Sequence, residues 1–94
     1  MYHHENRYIK NLANLVETVA HKKIKKKLNI TNLEKNEYFH ILYGKFDRAI
    51  DKNTIDKLRN ELAKKLKVKS DFIYLNEEKN GTVCIKVPND IIIN

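Results

Sequence analysis

The stretch Asp71-Phe-Ile-Tyr-Leu-Asn76, Glu77-Glu-Lys79, Asn80-Gly81, Thr82-Val-Cys-Ile-Lys-Val87 decides how this chain folds. Two runs rich in β-branched and aromatic residues flank Asn80-Gly81, and Asn-Gly is the strongest short signal for a two-residue hairpin. A type I′ turn needs positive φ at both central residues, which Asn tolerates and Gly adopts without steric penalty. Pro88 closes the second run because it has no N–H to give a ladder. Residues 72–87 therefore read as an antiparallel hairpin.

Before the hairpin, Ile55, Leu58, Leu62 and Leu66 recur at three- and four-residue steps, with Ala63 beside them. That spacing predicts an amphipathic helix, and Asp51, Asn53 and Thr54 are its candidate N-caps. Lys57, Arg59, Lys64, Lys65 and Lys67 fall outside the apolar stripe. Upstream again, Tyr38-Phe-His-Ile-Leu-Tyr-Gly-Lys-Phe46 has strand composition. Alternation points Phe39, Ile41 and Tyr43 to one face and Tyr38, His40, Leu42 and Phe46 to the other, with Gly44 marking a bulge.

The first segment is helical by period. Ile9, Leu12, Ala13, Val16, Val19, Ala20 and Ile24 form one stripe, which Leu28 extends to give a helix over 7–28 with Asn29 as its stop. Thr31-Asn-Leu-Glu34 has capping-box spacing and reads as a single turn linking this helix to the first strand. The expected architecture is one α+β domain over 1–94 in the order α-β-α-β-β, its β-α-β-β unit spanning 38–94. A crossover through the second helix makes the first two strands parallel and lets the third lie between them. The result is a three-stranded sheet with two helices on one face.

Residues 59–75, Arg-Asn-Glu-Leu-Ala-Lys-Lys-Leu-Lys-Val-Lys-Ser-Asp-Phe-Ile-Tyr-Leu, also resemble a helix-turn-helix. Ala63, Val68 and Ile73 stand at the offsets that lock two crossing helices, although Lys67 takes the turn position usually given to Gly. The resemblance implies DNA binding, with Lys69, Ser70 and Asp71 opening a recognition helix in the major groove. It competes with the hairpin for residues 72–75.

The chain is basic, with 19 Lys and Arg against 12 Asp and Glu, a net charge of +7. Basicity is uneven. Residues 1–35 carry eight Lys and Arg against three Glu, and Lys22, Lys23, Lys25, Lys26 and Lys27 are packed around Ile24. Such a cluster repels itself, and salt or an anionic partner relieves the repulsion. A helix C-terminus also accepts cations without any partner. The expected function is non-enzymatic nucleic-acid binding, directed at RNA or at the phosphate backbone. Lys22, Lys23, Lys25, Lys26 and Lys27 form one basic surface, and Arg59, Lys64, Lys65, Lys67 and Lys69 form a second. Tyr38, Phe39, Tyr43, Phe46, Phe72 and Tyr74 are the pool from which bases could draw a stacking partner.

The alternative is a protein-interaction module, such as a small viral or mobile-element inhibitor docking on an acidic surface of host machinery. Homodimerisation through the open sheet face or through Ile91-Ile92-Ile93 is a separate expectation. No catalytic motif is legible and no cofactor is implied. His3, His4, His21 and His40 lack the spacing of a metal site. Cys84 in Val-Cys-Ile reads as a small strand hydrophobe. As the one cysteine it excludes an internal disulfide and suits a reducing, cytoplasmic location, and no apolar run has the length of a membrane segment.

Overall fold

The computed structural model describes residues 3–91, with side chains from Arg7 onward. Helix α1, His3–Val19, continues into a π-helical turn over Ala20–Ile24, and strand β1 follows as Leu28–Lys35. Strand β2 is Phe39–Phe46, helix α2 is Lys52–Leu66, and β3, Tyr74–Lys79, forms a hairpin with β4, Thr82–Pro88. The class is α+β, but the sheet has four strands rather than three, in the order β1-β2-β4-β3 with every neighbouring pair antiparallel. As expected from the crossover, β4 lies between β2 and β3.

The additional strand replaces both the last turn of the expected 7–28 helix and the expected single turn at 31–34. Lys25 adopts the left-handed conformation, φ 59° and ψ 35°, and its N–H returns to Ala20 O, so the helix stops at Ile24, four residues before Leu28. Leu28 then pairs with Phe46 and Ile30 with Gly44. The register shifts between Ile30 and Asn32, so that Leu33 rather than Asn32 pairs with Leu42. This irregularity breaks the two-residue alternation of the segment. It lies on β1 and not on β2: Gly44 keeps regular pairing, and a Cβ there would stand 2.9 Å from Asn29 O. Glu17 on α1 accepts the Ile30 N–H at 2.8 Å, fastening β1 to the helix layer.

Asp51 caps α2 by accepting the Thr54 N–H at 2.8 Å, and left-handed Lys67 ends the helix with its N–H on Ala63 O and Lys64 O. The segment that resembled a second helix is instead a 3-10 turn, Ser70–Phe72, leading into β3. The helix-turn-helix reading fails here because Tyr74 and Leu75 pair with Lys86 and Ile85 of β4. Asn80 and Gly81 both have positive φ, 51° and 85°, as the hairpin turn requires.

Both helices cover one face of the sheet. Leu12 and Val16 of α1, Leu58 and Leu62 of α2, and Leu42, Phe46, Val83, Ile85 and Val87 of the sheet meet in the core. Ile91 joins them, and the Tyr8 hydroxyl donates to its carbonyl. Ile91 is therefore engaged within its own chain, which removes it from the expected dimerisation tail, while Ile92 and Ile93 lie outside the described residues.

Candidate nucleic-acid interface

The lysine run does not ring a helix as its period suggested. It is distributed over a chain reversal: Lys22 and Lys23 stand in the π-helical turn, Lys25 occupies the left-handed stop, and Lys26 and Lys27 lead into β1. This reversal sits at the end of the sheet where β1 begins and β2 finishes. There Lys25, Lys26 and Lys27 join Phe46, Asp47, Arg48 and Ile50 around a cleft of about 190 Å³. Arg48 adds a guanidinium, whose planar fork suits phosphate oxygens better than an ammonium does.

The β2–α2 loop that carries Arg48 is held from three sides. Glu77 Oε2 accepts the Ile50 N–H at 3.0 Å and the Gly81 N–H at 2.9 Å. Gly81 O in turn accepts the Phe46 N–H at 2.9 Å. The Asn80-Gly81 turn packs so closely that a Cβ on Gly81 would stand 2.6 Å from Arg48 O. Two acids moderate the cleft. Asp47 lines it, and the Asp51 carboxyl is held below its ordinary range, first by its hydrogen bonds with Thr54 and in smaller part by the Lys26 ammonium. Arg48 was absent from the sequence-derived set because it sits in a polar connection whose composition carries no signal. Only chain closure brings it to the lysines.

The second expected basic set does not extend this surface. Lys64, Lys65, Lys67 and Lys69 lie at the far end of α2, a helix of 15 residues and so about 22 Å long. Arg59 is mid-helix and ion-paired with Asp56, and Lys64 lies 3.6 Å from Glu61. An apolar groove of about 720 Å³ opens at this far end, lined by Leu66, Lys67, Val68, Phe72, Pro88, Asp90 and Ile91.

The sheet face away from the helices carries Phe39, Ile41, Tyr43 and Lys45 of β2, Cys84 and Lys86 of β4, and Tyr74 of β3. Register places them in rows, with Glu34, Ile41, Lys86 and Tyr74 in one and Asn32, Tyr43, Cys84 and Asn76 in the next. Lys86 Nζ lies 5.1 Å from the centre of the Tyr74 ring. The Tyr43 hydroxyl is raised above its ordinary value, chiefly by the Glu34 carboxylate, with burial, Cys84 and Glu78 adding to the effect. Of the other aromatics, Phe46 is core, whereas Tyr38 and Phe72 are exposed on the β1–β2 turn and the 3-10 turn.

Cys84 is buried, and burial pushes its thiol up, which opposes formation of a nucleophilic thiolate. His40 packs its ring 4.6 Å from that of Tyr8. Among the described residues no group of His, Cys, Asp and Glu is arranged to hold a metal ion, and no helix is long and apolar enough to cross a membrane. No protein-family model, curated protein or solved structure matches this chain.

Proposed function

We propose that this domain binds nucleic acid through the phosphate backbone, RNA in preference to DNA, and performs no chemistry on it. The observation that carries the reading is the cleft in which Lys25, Lys26 and Lys27 meet Arg48, four cations from two segments distant in sequence. Lys22 and Lys23 flank it on the preceding turn. Cations held close together repel one another, and displacement of counterions from a polyanion by such a group is strongly favourable. Lys64, Lys65, Lys67 and Lys69 form a separate basic end that contributes non-specific attraction without sharing the cleft. The single reduced cysteine accords with work inside a reducing, cytoplasmic compartment.

The test is a salt titration of binding to RNA and DNA. Each phosphate neutralised contributes about 0.7 to the logarithmic salt slope on a single strand and about 0.9 on a duplex. Replacing Lys25, Lys26, Lys27 and Arg48 together by Gln should flatten the slope by about three units. Binding indifferent to salt, or unchanged in that variant, overturns the reading.

A second reading is a small viral or mobile-element module that docks on an acidic protein surface. It is favoured by the groove beside Lys67, where exposed Phe72 offers an apolar anchor next to a cation. Capture of a partner that survives nuclease treatment and is lost in Phe72→Ser would support it.

A further inference from the structure

We infer that the helix-free sheet face is a seat for unpaired bases, so that the ligand is a single strand stacked on Tyr43, Phe39 and Tyr74. The inference rests on the nucleic-acid reading above and narrows its substrate. Ile41 and Cys84 belong to this face, yet they are only 8 % and 4 % exposed, although no helix covers them. Their cover comes from neighbours on the same face, whose Cβ atoms in directly paired positions lie about 5 Å away. Tyr43 pairs with Cys84 in register and interacts with its thiol. Phe39 and Tyr43 are half-buried on this face and Tyr74 is exposed, so all three rings are within reach of a base laid on the sheet.

The charges on the face select the same ligand. Lys45 and Lys86 stand on the central strands, and Lys45 adjoins Phe46, which lines the lysine–arginine cleft. Lys45 thus stands at the same end of the sheet as that cleft, where β1 begins and β2 finishes. Glu34 pairs with Ile41, one row from Tyr43, and its carboxylate disfavours a phosphate beside that ring. A neutral base fits there, whereas a duplex presents its charged backbones to a flat surface and keeps its base faces internal. Tyr74 lies two strand spacings from Tyr43, roughly 10 Å across the sheet, so one strand can span both.

The experiment measures binding of a short mixed-sequence oligonucleotide, as RNA and as DNA, single-stranded and hybridised to its complement. The proteins are the wild type, Tyr43→Phe, Tyr43→Leu, Tyr74→Leu and the cleft variant. Single strands should bind more tightly than duplexes. Tyr43→Phe should bind like the wild type, and Tyr43→Leu should bind about tenfold more weakly with an unaltered salt slope. Tyr74 is 47 % exposed and outside the core, so Tyr74→Leu tests the same face with little disturbance of the fold, and it should lose several-fold. Equal affinity for duplex, or full affinity in both leucine variants, overturns the inference. If both leucine variants keep full affinity while the cleft variant flattens the salt slope, the phosphate reading stands and stacking falls. If no oligonucleotide binds, both fall. A second copy seated on this face would appear as a dimeric mass lost in Tyr74→Leu, with oligonucleotide affinity unaffected, and would also overturn it.

Discussion

Glu77 on β3 and Ile50 in the β2–α2 loop are joined by a carboxylate-to-amide hydrogen bond of 3.0 Å, and the same oxygen holds Gly81 at 2.9 Å. One side chain therefore fixes the hairpin turn and the loop that presents Arg48. Glu77→Ala leaves two partly buried amides without this acceptor and should cost about 2–3 kcal/mol by urea denaturation. Glu77→Gln keeps a neutral acceptor and should cost roughly 1 kcal/mol. Oligonucleotide affinity should fall in Glu77→Ala even under conditions where the protein remains folded, because the cleft loses its fixed loop.

Gly81 should prove intolerant of any side chain. Its φ of 85° strains an L residue, and the added Cβ meets backbone rather than a flexible side-chain tip. Gly81→Ala is expected to lose more than about 2 kcal/mol, combining left-handed strain with displacement of the Arg48 carbonyl. Thermal unfolding would show it as a lowered midpoint.

Lys25 and Lys67 stop their helices in the same left-handed conformation, at φ 59° and 61°. Glycine suits that position, so Lys25→Gly and Lys67→Gly should each raise stability by about 0.5–1 kcal/mol. Binding separates the two. Lys25→Gly should weaken nucleic-acid affinity while stabilising the fold, and Lys67→Gly, at the other end of α2, should leave the cleft-dependent salt slope intact. Equal effects on binding would remove the distinction between the two basic ends.

Alkaline pH should destabilise the domain. Burial raises the Cys84 thiol above its ordinary 9.0, and Tyr8 and Tyr43 are raised above 10.0, Tyr8 by burial and then Asp90, Tyr43 chiefly by Glu34. A raised folded-state pKa contributes stability that is fully present below the unfolded value and lost as pH climbs through the folded one. Denaturation midpoints should therefore fall progressively above pH 9, and Cys84→Ala should blunt the first part of that fall. At the acid end Asp51 has the opposite sign: its lowered pKa contributes stability present above 3.8 and lost as pH drops through the folded value.

The hairpin, the two helical stripes and the opposed faces of β2 were legible because each is a local pattern. Leu58 and Leu62 sit in the core their period assigned them, and Phe39 and Tyr43 lie opposite Leu42. β1 was not legible for two reasons. Leu28 continues the helical spacing of Ile24 while also suiting a strand, and the bulge after Ile30 moves the next inward residue to Leu33. The capping-box spacing of Thr31 and Glu34 then mimicked a helix start. Of the basic residues, the lysine run stood out in the sequence, whereas Arg48 gave no sign.

The sequence by itself determined the α+β class, the Asn80-Gly81 hairpin, the stripes that bury α1 and α2, and the charge at residues 22–27. Periodicity and turn chemistry record which side of each element faces the core, and that information is local. Only the tertiary structure decided where α1 stops, that β1 completes the sheet, and that Arg48 closes on Lys25, Lys26 and Lys27. Those outcomes depend on pairing between Leu28 and Phe46 and on the grip of Glu77 on Ile50, contacts whose energy exists only once distant segments have met.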